Sequence, residues 1–107
     1  MTILERFLRE QYNREFIKHE DSGILVYSKY DDGSVYVQIF YVLEDETNKG
    51  IGTKMITELI EKENPTMIVC DVDYANKDYI DSIRKFTNYG FNFLKEITNA
   101  VVLYKVL

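Results

Sequence analysis

Cysteine and proline are scarce in this sequence, which excludes a protein held together by internal disulfides and a chain divided by a proline-rich linker. The 107 residues contain one cysteine and one proline. A single cysteine, Cys70, cannot form an internal disulfide, which favours a reducing cytoplasm. With no second Cys or His beside it, the sequence predicts no metal site. No linker rich in Pro or Gly divides the chain, so we predict one domain over residues 1–107.

Long hydrophobic runs and basic stripes are also missing. No run of about 18 apolar residues predicts a membrane span, and residues 1–6 lack the apolar core and cleavage site of a secretory signal. The Lys and Arg residues are scattered, so the sequence predicts no nucleic-acid partner. The net charge of −5 fits either simple solubility or attraction of a cationic substrate such as an amine. We expect a cytoplasmic protein.

What is present is a clear alternation of helices and strands. Thr2 and Glu5 form a capping-box pattern that opens a helix over residues 2–13. A second, amphipathic helix follows Gly52 and stops at Asn64. A third carries inward Ile80, Ile83 and Phe86. Strands are predicted over residues 15–18, 23–30, 35–43, 67–70, 91–97 and 100–107, with tight turns at residues 31–33 and 98–99.

The strand at residues 35–43 is apolar on both faces, which is typical of the middle of a covered sheet. One face is predicted to hold Val35, Val37, Ile39, Tyr41 and Leu43. The helix between this strand and the next makes the two strands parallel. We therefore predict an α/β fold: a mixed central sheet with antiparallel hairpins outside a parallel crossover, flanked by helices.

The carboxyl ends of the two parallel strands are the expected ligand site. Gly50 and Gly52 open a helix there, where free amides and the helix dipole favour a phosphate. Asp71 and Asp73 follow the second strand on one side. Each signal has a plain alternative, because a Gly-x-Gly pair often marks only a tight turn and Asp71 fits a strand end. Met55 replaces the third glycine of a dinucleotide fingerprint, and no P-loop is present.

The order of these segments resembles the acetyl-CoA motif of the GNAT acyltransferases. Residues 40–56 carry it, as Phe-Tyr-Val-Leu-Glu-Asp-Glu-Thr-Asn-Lys-Gly-Ile-Gly-Thr-Lys-Met-Ile. Thr47 stands where the family usually has Gln or Arg. The resemblance implies acetyl-CoA as acyl donor, bound by Phe40, Tyr41, Val42, Asn48, Lys49, Gly50, Ile51, Gly52, Thr53 and Asn76.

Two further segments extend the resemblance over residues 15–107. Residues 70–76 resemble the family strand in which an acid acts as general base, which implies that role for Asp71, with Asp73 as second choice. Residues 86–91 resemble Tyr-x-x-x-Gly-Phe, but Phe86 replaces the tyrosine that reprotonates the coenzyme A thiolate. Tyr89, about one helical turn later, is our candidate for that role. The family's usual first strand is missing.

The resemblance leaves two functions open. The first is an N-acetyltransferase that acts on a primary amine of a peptide, protein or small molecule, favoured by Gly50, Gly52, Asp71 and Asn76. The second is a degenerate binding module of the same fold that contacts another protein, favoured by Phe86 and Thr47. The strand edges of the last hairpin are compatible with a homodimer.

Overall fold

The computed structural model describes residues 2–107, which form a six-stranded sheet with three α-helices and one short 3-10 helix. The α-helices are α1 (Ile3–Tyr12), α2 (Ile51–Glu63) and α3 (Tyr79–Asn88). The strands are β1 (Glu15–His19), β2 (Gly23–Lys29), β3 (Ser34–Val42), β4 (Met67–Asp73), β5 (Asn92–Ile97) and β6 (Ala100–Val106). The 3-10 helix, Glu44–Glu46, lies between β3 and α2.

The strands lie in the order β1-β2-β3-β4-β6-β5, and β3 and β4 form the parallel pair in the middle. Every other neighbouring pair is antiparallel. The predicted α/β class, with its central crossover and outer hairpins, is confirmed. Local signals set the boundaries: Gly33 turns the β2–β3 hairpin with φ +87°, and Asn64 ends α2 in the left-handed region.

Helices α2 and α3 pack on the same face of the sheet and share one apolar core with it. Helix α2 contributes its inward stripe, and α3 contributes Phe86. The residues of this core that are most completely buried are Leu25, Tyr27, Met55, Leu59, Ile68 and Cys70. Because α2 contacts β1, β2 and β3 while α3 contacts β4, the two helices leave a space between them over the carboxyl ends of β3 and β4.

A bulge in β3 breaks the alternation that the sequence predicted. Against β2, Gln38 is an extra residue between the paired positions Val37 and Ile39. One inserted residue exchanges the two faces of a strand beyond it. Val37 is therefore in the core, Ile39 is exposed, and Phe40 packs against the core instead. The predicted shared face is therefore correct for Val35 and Val37, before the bulge. It was wrong for Ile39, Tyr41 and Leu43, which follow the bulge and are exposed.

The inward stripe of α3 also begins one residue earlier than expected. Ile80 was predicted to face inward, but it is mostly exposed. Tyr79 takes that place, packing against the core and edge-on to Tyr74 with ring centroids 5.2 Å apart. Tyr79, Ile83 and Phe86 then follow one another at helical spacing.

The hydroxyl of Tyr27 offers a test of the core. Tyr27 is fully buried, and its hydroxyl donates to Oε2 of Glu63 at 2.6 Å. We expect Tyr27→Phe to lower the free energy of unfolding by about 1–3 kcal/mol, because the carboxylate loses a hydrogen bond while the ring still packs. Urea unfolding measures this change. The exposed Tyr30 is the control, since Tyr30→Phe should change stability by less than about 0.5 kcal/mol. Equal stability of both variants would contradict the prediction.

Candidate functional site

The site begins where β3 and β4 separate. Their pairing runs from Ser34 opposite Met67 to Val37 opposite Cys70, and then stops. Both strands continue, β3 to Val42 and β4 to Asp73. We call the opening between residues 38–42 and 71–73 the notch. Because it lies at the carboxyl ends of parallel strands, it is the position at which sheets of this class bind ligands.

A groove of about 500 Å³ runs from the notch to the start of α2. We call it the anion groove. Nine of the ten predicted cofactor-binding residues line it, namely Phe40, Tyr41, Val42, Asn48, Gly50, Ile51, Gly52, Thr53 and Asn76. Lys49 does not line it. Its Nζ lies 2.8 Å from the Glu46 carboxylate, which raises the pKa of Lys49.

The first turn of α2 presents free amides to this groove. Gly50 caps the helix in the left-handed region, with φ +79°, and no side chain of residues 2–107 accepts a hydrogen bond from the first turn. The first turn carries no acidic residue either. Unpaired N–H groups and the positive end of the helix dipole therefore face the groove at the start of α2, which makes that end suited to a phosphate or pyrophosphate. Four acidic residues also line the groove, and three of them are paired with lysines: Glu44 with Lys77, Glu46 with Lys49 and Asp81 with Lys85, while the fourth is Asp78.

Gly52 lies where another part of the chain comes very close. A Cβ atom at this position would lie 2.6 Å from the Tyr89 hydroxyl oxygen and 3.0 Å from Cζ of Phe40. Only glycine fits without displacing one of these rings. The hydroxyl of Tyr89 is thus placed beside the first turn of α2, and Tyr89 lines the anion groove. The rings of Phe40 and Phe86, with centroids 5.1 Å apart, form the floor between the helices.

A second space, of about 270 Å³, occupies the notch itself. We call it the notch cavity. Its polar lining includes Gln38, Asp71, Asp73, Asn76 and Ser82, and no Lys, Arg or His is among its described lining residues. Of the two predicted catalytic residues, Asp71 lines this cavity and Tyr89 does not. A cavity with two carboxylates and no basic side chain favours a cationic ligand over an anionic one.

Asp71 has a tyrosine beside it. Burial, and then the neighbouring Asp71 carboxylate, raise the pKa of Tyr36. Tyr36 therefore stays a neutral phenol and a hydrogen-bond donor next to Asp71. Asp73, the second choice, is engaged elsewhere, because its Oδ1 accepts a hydrogen bond from the Ala75 amide at 2.8 Å.

Gln38 and Ser82 line the notch cavity but were not predicted from the sequence. Gln38 donates from Nε2 to the Ser28 hydroxyl, while its Oε1 is buried and has no partner within residues 2–107. No local signal marks a bulge residue as part of a site. Ser82 lies on α3 one turn before Phe86, and the i, i+4 spacing from Phe86 was a signal that could have identified it.

Neither Cys70 nor any cluster of potential metal ligands within residues 2–107 offers a second reactive site. Cys70 is 1% exposed, and burial raises the pKa of its thiol to about 12, so it is a packing residue rather than a nucleophile. Over the described stretch, 2–107, His, Cys, Asp and Glu form no group suited to a metal ion. Among the helices of that stretch, none has the length and apolar character that crossing a membrane requires.

The chain is similar in sequence to a curated bacterial protein. No protein-family model matches the chain. The Bacillus subtilis (strain 168) protein YjbC, named as an inferred acetyltransferase, is 30% identical over 89 residues, which cover 80% of this chain and 43% of that protein. The chain thus spans less than half the length of this curated relative.

Solved structures share the fold more fully. An acetyltransferase of Thermus thermophilus superposes with a TM-score of 0.79 at 15% identity, covering 95% of this chain and 70% of that one. A Bacillus subtilis acetyltransferase in complex with CoA gives 0.70 at 18% identity, covering 95% and 82%. A Desulfovibrio desulfuricans structure named for the GNAT family gives 0.71 at 12% identity, covering 85% and 66%. With the strand order, the divergent parallel pair and the glycine-opened helix described above, these likenesses make the chain a GNAT-fold protein.

Proposed function

We propose that this chain transfers an acetyl group from acetyl-CoA to the nitrogen of a primary amine. The observation that carries the proposal is the notch, which joins a groove suited to phosphate to a cavity with two carboxylates and no basic residue. The resemblance of residues 40–56 to the acetyl-CoA motif supports the same donor. So does the structural likeness to a protein solved with CoA. A cytoplasmic location, in keeping with the unpaired Cys70, is part of this proposal.

The residues present fit acetyl-CoA. Its pyrophosphate would be held by the amides of Ile51, Gly52 and Thr53 at the uncapped start of α2. Asn76 and the end of β3 would hold the pantetheine arm, and Asn48, which lines the groove, would flank the phosphate. Lys49 could reach the phosphate only by leaving its ion pair with Glu46. When bound, acetyl-CoA supplies an acetyl thioester. Residues 40–42 pair with β2 on one side and with no strand on the other, so the backbone N–H groups among them that face away from β2 are the donors available to a developing oxyanion.

The acceptor amine must lose a proton before it can attack. A free lysine amine has a pKa near 10.4, so only about one in 10³ is neutral at pH 7. We propose Asp71 as the base, because it lines the notch cavity and its neighbour Tyr36 can orient it. Tyr89 stays our predicted donor to the thiolate, although its hydroxyl lies beside Gly52. Comparing Tyr89→Phe with the parent chain in single-turnover assays tests that role.

Binding and turnover of acetyl-CoA test the proposal together. At 100 times its Kd, a ligand stabilises the folded state by about 2.7 kcal/mol, which for this chain length corresponds to a rise in Tm of about 10 °C or more. We expect that rise with acetyl-CoA, followed by release of free thiol with members of a panel of primary amines. No rise in Tm over a wide concentration range would contradict the proposal.

A binding module is the alternative that two observations favour. The Phe86 ring has no proton to donate to the thiolate. Thr47 stands in place of the usual Gln or Arg, and its hydroxyl already donates a hydrogen bond to the Glu44 carbonyl oxygen at 3.0 Å. A rise in Tm without thiol release from any amine would support this alternative. We also propose a homodimer through the edge strand β5, whose six residues are all exposed. Sedimentation equilibrium of the parent chain and of Phe93→Lys tests it.

A further inference from the structure

The anion groove and the notch cavity meet at a junction that five residues share. These are Phe40, Tyr41, Asn76, Ser82 and Phe86, which line both spaces. If the donor lies in the groove and the acceptor amine in the cavity, the acetyl group must pass through this junction. The carbon–sulfur bond that breaks must therefore lie among these five side chains. This argument rests on the proposed function.

Ser82 is well placed among the two hydroxyl groups at the junction. Tyr41 lies on the strand face that the Gln38 bulge turns to solvent, and it is about half exposed. Ser82 is only partly exposed and points from α3 into both spaces. On the same helix, Thr87 donates its hydroxyl to the Ile83 carbonyl at 2.8 Å. No such bond engages Ser82 within the part of the chain that the structure describes, so its proton is available to a ligand.

Tyr89 and Ser82 lie at different ends of the site. They lie seven residues apart on α3, a separation of about 10 Å along a helix axis. The Tyr89 hydroxyl is placed against Gly52 at the phosphate end of the groove, and it does not line the notch cavity. Phe86, which holds the family position between them, is buried and apolar. Of these two hydroxyl-bearing residues of α3, only Ser82 lines the notch cavity.

We propose that Ser82 donates a hydrogen bond to the sulfur atom as it leaves the acetyl group. The amine nitrogen forms a bond to the carbonyl carbon, the carbon–sulfur bond breaks, and its electron pair moves to sulfur. The Ser82 O–H stabilises that negative charge as a charge-assisted hydrogen bond. An alcohol is a weaker acid than a thiol, so Ser82 keeps its proton. Forming the amide removes two protons from the ammonium group: Asp71 takes the first before attack, and the nitrogen loses the second as the carbon–sulfur bond breaks. One of these protons reaches the sulfur through solvent and Tyr89, the predicted donor to the thiolate, and the other leaves to solvent.

Titration of the thiol of bound coenzyme A tests this contact without any acceptor. A hydrogen bond to a thiolate lowers the pKa of the thiol. We expect the bound thiol, followed by the NMR chemical shift of the coenzyme A methylene carbon next to sulfur because the nine tyrosines obscure the ultraviolet signal of a thiolate, to have a pKa about one unit higher in Ser82→Ala than in the parent chain. Ser82→Thr should restore the lower value. Cys70 stays outside the titration range because its own pKa is about 12.

The control variant is Thr87→Ala, which removes a hydroxyl from the same helix outside both spaces and should leave the titration unchanged. With any amine that turns over, we expect Ser82→Ala to lower kcat about tenfold at an unchanged Kd for acetyl-CoA. Equal thiol pKa values in the parent and Ser82→Ala would overturn the proposal, and so would a shift caused by Tyr89→Phe alone. Failure of coenzyme A to bind at all would instead overturn the proposed function on which it rests.

Discussion

Replacing Asp71 by Asn is expected to lower kcat/KM for acetyl transfer about 10²- to 10⁴-fold, the usual effect of losing a general base. Asp71 is the first residue of β4 beyond its last pair with β3, and it lines the notch cavity. An amide keeps the shape of the carboxylate but cannot accept the proton of the ammonium group. Thiol release at amine concentrations well below KM, with acetyl-CoA saturating and over a range of pH, gives the effect. The Kd for acetyl-CoA should not change, because Asp71 does not line the anion groove.

Asp73→Asn is the matched control for this prediction. Asp73 lines the same cavity two residues later, but its Oδ1 is held by the Ala75 amide at 2.8 Å. Its amide variant should lose little transfer activity. If Asp73→Asn lost activity and Asp71→Asn kept it, the base would be Asp73. If both variants kept full activity, neither carboxylate would be the base, and the proposed mechanism would fail.

Gly52→Val is expected to weaken coenzyme A binding about 100-fold or more, since two charge-assisted hydrogen bonds from the first turn of α2 would be blocked or misplaced. Even a single Cβ at this position would lie 2.6 Å from the Tyr89 hydroxyl oxygen and 3.0 Å from the Phe40 ring. Valine forces these rings into the groove that the pyrophosphate needs. Isothermal titration with coenzyme A measures the change in Kd.

A double variant separates this clash from general damage. Gly52→Ala should weaken binding less than valine does, and adding Tyr89→Phe should recover part of that loss, because the nearest atom of the clash is the Tyr89 oxygen. Far-UV circular dichroism confirms that each variant is folded. Unchanged affinity in Gly52→Val would mean that coenzyme A does not approach the start of α2, and the site would have to lie elsewhere.

Features that depend on neighbouring residues follow from the amino-acid sequence itself. Gly50 in the left-handed region, the uncapped start of α2, the turn at Gly33 and the stop at Asn64 each follow from the backbone preferences of one or two residues. The parallel crossover follows from a helix between two apolar strands. For that reason nine of the ten predicted cofactor-binding residues lie together in one groove.

Features that depend on how distant segments meet could not be predicted in this way. The bulge at Gln38 exists because β3 carries one more residue than β2 between the same two pairs, and no residue of β3 marks it. It turns Ile39 outward and Phe40 inward. The pairing of β3 with β4 ends at Val37, the residue before this bulge, so the point at which the two strands separate was equally unmarked in the sequence.

The chemistry of the notch therefore depends partly on local sequence signals and partly on tertiary packing. Its residue types, the glycines at a helix start and the carboxylate at a strand end, follow from local rules that act over a few residues. Which hydroxyl of α3 reaches which space depends on the angle at which the helix packs on the sheet. Tyr89 matched a family pattern, but packing places it against Gly52, while Ser82, which matched none, lies where the groove and the cavity join.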